Sequence, residues 1–334
     1  MSTSFLHLLF FTLLILGAIT SISSTSWFMV WIGLELNLMT FIPLITSKFN
    51  QFPSEAALKY FLIQALGSSL IILASPLILN SEIFMLSMLM ALLLKLGAAP
   101  FHFWVPSIME GLNWNQCVIL MTIQKAAPLS LITHLTHQTK VYYIIIFSAI
   151  LSSIFGSLGG LNQTSLRKIL AFSSINHLSW MLIAITLSDY SWIMYFTFYS
   201  LISSSVIFWF NTQQFFYFSQ LFSKPSTSAY LHMSSALTLL SLGGLPPFSG
   251  FIPKLIIIEI MTSKNMFFPL FFLILSTLIT LYYYLRMSII FFMMTTTKTK
   301  SLHTFMTHFK SNMSPIMTSM NFFFLLTPSL FMLF

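Results

Sequence analysis

Five side chains that can carry a proton, Glu35, Lys95, Lys125, His177 and Lys254, lie inside or at the edges of long apolar runs. Ionisable groups at such depth are costly to bury and mark ion or proton pathways where they occur. Desolvation disfavours an ammonium, so a buried lysine gives up its proton more readily than one in water. A carboxylate about 4 Å away restores the charged form by roughly 4 kcal/mol at an effective dielectric of 20. Moving or neutralising that carboxylate switches the lysine, and ~4 kcal/mol exceeds the ~2.3 kcal/mol needed to lift one charge against 100 mV. These residue types fit proton loading and release better than bond-making on a substrate.

Each candidate competes with a plainer role. Glu35, in WIGLELN (Trp31 to Asn37), is near the centre of its run, beyond the reach of snorkelling to water, and the alternative is a paired structural carboxylate. Lys95 lies close to the end of its run, where a lysine can snorkel, yet it stands beside the helix-breaking stretch KLGAAPFHFWVP (Lys95 to Pro106). Lys125 is mid-run and precedes Pro128. Lys254 opens the second half of a broken run, and Glu259, five residues on, projects to another side of the helix. His177 sits among Ser173, Ser174 and Asn176, where a hydrogen-bonded packing role is equally natural.

Other titratable groups carry less. Glu55 and Lys59 are spaced for an i, i+4 ion pair after Pro53-Ser54, although Lys59 is deep enough to stay a candidate. Arg286 reads as a snorkelling cation. His134 and His137 lack carboxylate or thiolate partners nearby, so no metal is expected there. The one cysteine, Cys117, rules out an internal disulfide and a Cys-ligated cluster. There is no Gly-rich nucleotide loop and no flavin site, so no redox cofactor is expected on this chain.

The elements that must position these groups are membrane helices. Of 334 residues 57% are hydrophobic and 6% charged, which excludes a water-soluble globule. About eleven runs are each long enough to cross a ~30 Å hydrocarbon core. They cover approximately 4–22, 26–46, 55–79, 82–98, 114–134, 141–159, 166–187, 191–211, 231–262, 266–293 and 314–333. Period-two alternation is absent, so the fold class is all-α, a polytopic membrane protein inserted as one domain, with no signal peptide at its start. The formal charge of +8 is scattered rather than gathered on a polar face, which argues against nucleic acid and for topology signals. If the runs alternate in direction, Lys48, Lys59, Arg167, Lys168, Lys224, Lys298, Lys300 and Lys310 share the N-terminal side, against Lys140 and Lys264 opposite. That places the N-terminus on the positive side. The 37 Phe and 21 Met suit an AT-rich organelle genome, and hence a mitochondrial inner membrane.

A repeat organises the broken runs. PFHFWVP (Pro100 to Pro106) matches PFSGFIP (Pro247 to Pro253), 147 residues on. Leu96-Gly97 pairs with Leu242-Gly243 if one residue is inserted in the second copy, and Lys95 and Lys254 flank the two motifs on opposite sides. The breaks fall in the fourth and ninth runs. An odd five-helix offset reverses direction across the bilayer, so two inverted repeats are expected, at approximately 1–135 and 141–293, with a loop and final helix over 294–334. Unwound backbone at this depth survives only where protein or water satisfies it, so the breaks mark hydrated places.

WIGLELN, SEAALKYF (Ser54 to Phe61), KLGAAPFHFWVP, Gln124-Lys125 with Pro128, GGLNQTSLRK (Gly159 to Lys168), SSINHLSW (Ser173 to Trp180) and LGGLPPFSGFIPK (Leu242 to Lys254) appear in order over about residues 20 to 290. Together they resemble the subunit-two family of mitochondrial NADH dehydrogenases, the antiporter-like membrane subunits of respiratory complex I, in an insect-like form. The resemblance implies that Glu35, Lys95, Lys125 and Lys254 occupy proton-path positions, with His177 a relay between the halves. It also implies the absence of three N-terminal helices found in bacterial relatives, a matrix-facing N-terminus, and partners that are other complex I membrane subunits, further antiporter-like ones included. NADH, FMN, iron–sulfur clusters and ubiquinone would belong to partner subunits. Ser179 stands where that family usually has glycine, and Leu255 where it has tryptophan; neither removes a titrating group. A stand-alone cation/proton antiporter and a scaffold with structural buried charges are the alternative functions.

Overall fold

The computed structural model describes residues 2–46, 50–77, 82–136, 138–223, 229–246 and 248–294. In chain order the helices are α1 (Ser2–Ser23), α2 (Trp27–Ile45), α3 (Gln51–Ala74), α4 (Glu82–Leu96), α5 (Trp104–Gly111), α6 (Trp114–Met121) and α7 (Ile123–Thr133). They continue as α8 (Thr139–Gly160), α9 (Leu166–Leu187), α10 (Asp189–Gln213), α11 (Gln220–Ser223), α12 (Ala229–Gly243), α13 (Phe251–Ser263) and α14 (Phe267–Met294). Among the described residues the one β contact is an isolated bridge, Ser165 with Tyr217.

Eight of these helical stretches are long and apolar enough to cross a membrane, α6 and α7 counting as one. The all-α expectation holds. The run expected over 166–187 is α9, residue for residue. The fourth expected span is shorter than written, stopping at Leu96, and the ninth is divided at its expected break into α12 and α13. The span expected over 314–333, together with Lys48, Lys224, Lys298, Lys300, Lys310, His137 and Pro247, lies outside the described residues.

Local chemistry accounts for the helix ends. Ser26 caps α2 by accepting from the Met29 amide, and Ser188 caps α10 by accepting from the Ser191 amide. Pro128 is accommodated inside α7, and the run expected over 114–134 is interrupted at Thr122, with φ −113° and ψ −81°. The Thr122 hydroxyl donates back to Val118 O at 2.7 Å, which feeds the interrupted turn from within.

Helix α9 is the centre of the bundle: 89% of its span is buried, against 22–56% for the other candidate spans. Its serines reach that depth because Ser173, Ser174 and Ser179 each donate to a carbonyl one turn back in α9 itself. Small residues let neighbouring backbones close in. A Cβ on Gly156 of α8 would stand 2.6 Å from the Asn176 amide of α9, and one on Gly33 of α2 2.7 Å from the Ser21 amide of α1. That second crossing fixes α2, and therefore Glu35, against α1.

Candidate proton-transfer site

The first break begins one residue after Lys95's neighbour Leu96. Gly97 turns the chain at φ +71°, a conformation glycine adopts without a Cβ penalty. Its amide donates to Leu94 O and the Ala98 amide to Leu93 O, both at 3.1 Å. Two side chains complete the closure: Trp104 Nε1 donates to Leu94 O at 3.1 Å, and Gln64 Nε2 of α3 donates to Lys95 O at 3.2 Å. Carbonyls that a helix end leaves orphaned are thus satisfied inside the protein.

The second break copies the first. Gly244 has φ +78°, its amide donates to Ser241 O at 3.0 Å, and the Leu245 amide donates to Leu240 O at 3.5 Å. Phe101 donates to Ala98 O at 2.8 Å, and Phe248 to Leu245 O at 2.9 Å. All of these pairs are offset by 147 residues, so the turning glycine matching Gly97 is Gly244. The pairing of Gly97 with Gly243, and the insertion it required, is corrected by backbone conformation: Gly243 is the last helical residue of α12, one position too early to turn.

The site residues fall into two groups. Lys95 is buried, and its stem lies along α3, where a Cβ on Gly67 would come within 2.9 Å of Lys95 Cγ. Glu35, half-buried on α2, acts through space on both Lys95 and Tyr60. It is not within ion-pair distance of Lys95; among the described residues the ion pairs are Glu55–Lys59, Glu82–Lys140 and Glu110–Lys168, all with exposed or half-exposed side chains. Glu35 Oε2 is buried without a hydrogen-bond partner. The interaction of Glu35 with Lys95 is therefore a longer-range one.

Lys125, His177 and Lys254 form the second group around α9. Lys125 Nζ donates to Ser174 O at 3.3 Å and lies 5.5 Å from the Tyr199 ring centroid of α10. Lys254 and Lys125 are both near enough to His177 to act on it through space. Its Nδ1 is 2.9 Å from Tyr195 Oη, and its ring packs 5.0 Å from that of Tyr199. Lys254 Nζ donates to Gly243 O at 2.8 Å, the last carbonyl of α12.

One bridge joins the groups. Tyr60 Oη donates to Gln124 Oε1 at 3.1 Å, and Gln124 precedes Lys125 on α7. The Tyr60 ring is fixed edge-on against Phe41 and Trp104. Tyr60, Gln64, Gln124, Tyr195 and Tyr199 were not singled out from sequence. Gln64 and Gln124 had a usable signal, an amide in the middle of an apolar run, whereas the tyrosines are lost among sixteen per cent aromatic residues.

Lys59 pairs with Glu55 at 2.6 Å, Glu259 is exposed while Lys254 is buried, and His134 is exposed. Arg286 is half-buried, its guanidinium 4.5 Å from the Phe218 ring centroid. Ser179 is fully buried, its hydroxyl donating to Asn176 O, and Leu255 is exposed.

The sequence family described as NADH:quinone oxidoreductase/Mrp antiporter, transmembrane, matches residues 24–82 and 77–280. The chain belongs to this family. Relatives include the "NADH-ubiquinone oxidoreductase chain 2" of Anopheles gambiae, 48% identical over 273 residues and covering 78% of each chain. That of Locusta migratoria is 39% identical over 269 residues, again 78% of each chain. The fold is also that of a chain in respiratory complex I from Thermus thermophilus, with a TM-score of 0.79 at 22% identity over 96% of this chain and 77% of that one. A chain of the Mrp complex from Dietzia sp. gives 0.75 at 16% identity, covering 82% and 58%. The match by family reaches from α2 into α14 and takes in every residue of both groups.

Proposed function

We propose that this chain is a core membrane subunit of a proton-pumping NADH:ubiquinone oxidoreductase and carries one antiporter-like proton channel. The observation that carries the reading is the arrangement of Glu35, Lys95, Lys125, His177 and Lys254 in two buried groups, each beside a closed helix break. Protons would pass between the groups by way of the region around Tyr60 and Gln124. The relatives of shared name supply the complex, and the chain's own composition supplies the membrane.

In this reading, oxidation of NADH and reduction of ubiquinone take place in partner subunits that hold FMN and iron–sulfur clusters. The neighbours in the bilayer include further antiporter-like subunits. The membrane is the mitochondrial inner membrane, with the N-terminus on the matrix side, and the two five-helix repeats are inverted copies. The equal closure of both breaks at a 147-residue offset supports the repeat.

Lys95 and Lys125 act as exchanging sites, and Glu35 sets how firmly Lys95 holds its proton. Replacing Glu35 with Gln in the assembled complex removes that control while keeping side-chain volume. Coupled NADH:ubiquinone turnover and protons moved per NADH should both fall, measured in sealed vesicles. Normal values of both would overturn the mechanism.

A further inference from the structure

We infer that Tyr195 is a positioning residue that fixes which nitrogen of His177 exchanges protons; the inference rests on the proton-path reading above. Tyr195, 2% exposed on α10, has its hydroxyl 2.9 Å from His177 Nδ1, and the histidine is itself 8% exposed. The ring of Tyr195 lies parallel to that of Trp180 at a centroid separation of 6.3 Å, within the buried interior. With the Tyr195 hydroxyl assigned as donor to Nδ1, the single proton of a neutral imidazole sits on Nε2.

The geometry around the ring gives that choice a consequence. Tyr195, His177, Tyr199, Ser241 and Gly250 line a crevice with room for a water molecule, beside the second break. Leu242 of α12 lines the same crevice, and the carbonyl of the next residue, Gly243 O, receives Lys254 Nζ. With Nδ1 occupied, exchange is confined to Nε2. A second proton can reach Nδ1 only if the Tyr195 hydroxyl turns from donor to acceptor. Tyr195 thereby gates the doubly protonated state without carrying a proton across itself.

Titratable groups face this pair from every packed helix that has one near: Lys125 on α7, Lys254 on α13, Tyr199 on α10 and, towards Tyr195, Tyr284 on α14. None of them contacts Nδ1 in place of Tyr195 among the hydrogen bonds of the described residues.

The test is Tyr195→Phe, His177→Gln and the double variant in the assembled complex in sealed vesicles, with turnover normalised to flavin so that a loss of assembly does not mask the result. Tyr195→Phe should lower coupled turnover about fivefold, the equivalent of one hydrogen bond of ~1 kcal/mol, without changing the KM for ubiquinone. The pH profile of coupled turnover should change shape, and in the His177→Gln background Tyr195→Phe should have no further effect. A pH profile superimposable on wild type, with His177→Gln still impaired, overturns the inference and leaves the proton path standing. An unimpaired His177→Gln overturns the inference and the relay role of His177 together.

Discussion

The two helix breaks share a backbone and differ in what closes them. Around Gly97 and around Gly244 the same amides reach the same carbonyls. At the first break Gln64 takes Lys95 O, and Trp104 adds a second donor to Leu94 O. At the second, a carbonyl is taken by Lys254 itself. Lys95 belongs to the last turn of α4, and Lys254 to the first turn of α13, yet the Lys254 ammonium reaches back to the end of α12. Both cations are thereby associated with the carbonyl end of the first half-helix, where the macrodipole favours positive charge. The unlike sequence positions of the lysines conceal a like electrostatic placement, and only Lys254 is also a structural bolt.

The largest effect should come from the turning glycine of the first break. A Cβ on Gly97 would run into Val105 Cγ2 and approach the Trp104 ring, and the residue holds φ +71°. Gly97→Ala combines ~1–2 kcal/mol of left-handed strain with ~1–3 kcal/mol of overpacking. The amount of assembled complex should drop steeply. Gly244→Ala meets chiefly the flexible end of Lys254, 2.7 Å away, so its loss should be smaller. Equal losses would mean that the two turns are not packed differently.

Next in size is the contrast between the lysines. Lys254→Met leaves Gly243 O without its donor, at about 1–3 kcal/mol for an orphaned buried carbonyl. Lys95→Met leaves the closure by Gln64 and Trp104 in place. Thermal stability of the complex should fall for Lys254→Met and hold for Lys95→Met, while both depress protons moved per NADH. Matched stabilities would remove the structural half of the comparison. A milder probe of the first break is Trp104→Phe, which loses one hydrogen bond to Leu94 O and should cost ~1 kcal/mol in stability.

How much of this was legible in the sequence follows from physical scale. Length and apolarity wrote the helices: α9 was bounded correctly because polar residues flank it, Asn162 to Ser165 before and Ser188 after. The lysines and Glu35 were legible because charge is rare in these spans. The break at Thr122 was not, because threonine is unremarkable and the run over 114–134 reads as continuous; the helix absorbs Pro128 and breaks where a hydroxyl can compensate. Nor could the sequence show that Gln64 closes a break thirty-one residues away, or which of eleven tyrosines meets His177. Charge announces itself along the chain, whereas hydrogen-bond partnership between neutral groups is a property of packing.

The smallest predicted effect decides the register of the repeat. With Gly97 paired to Gly243, as the Leu-Gly motif suggests, Gly243 should need the left-handed turn and Gly243→Ala should be damaging. In the structure Gly243 ends α12 as a helical residue, and its Cβ would meet nothing nearer than Tyr284 Cδ2 at 3.7 Å, an ordinary contact. Alanine in a helix is better than glycine by up to ~1 kcal/mol, so Gly243→Ala should leave stability unchanged or slightly raised. Gly244→Ala, one residue on, should lower it. Melting curves of the two variants side by side would separate the registers, because a shared backbone turn tolerates no one-residue slip: the position that turns must be the one where a Cβ is forbidden by φ, and Gly244 alone of the pair has that φ.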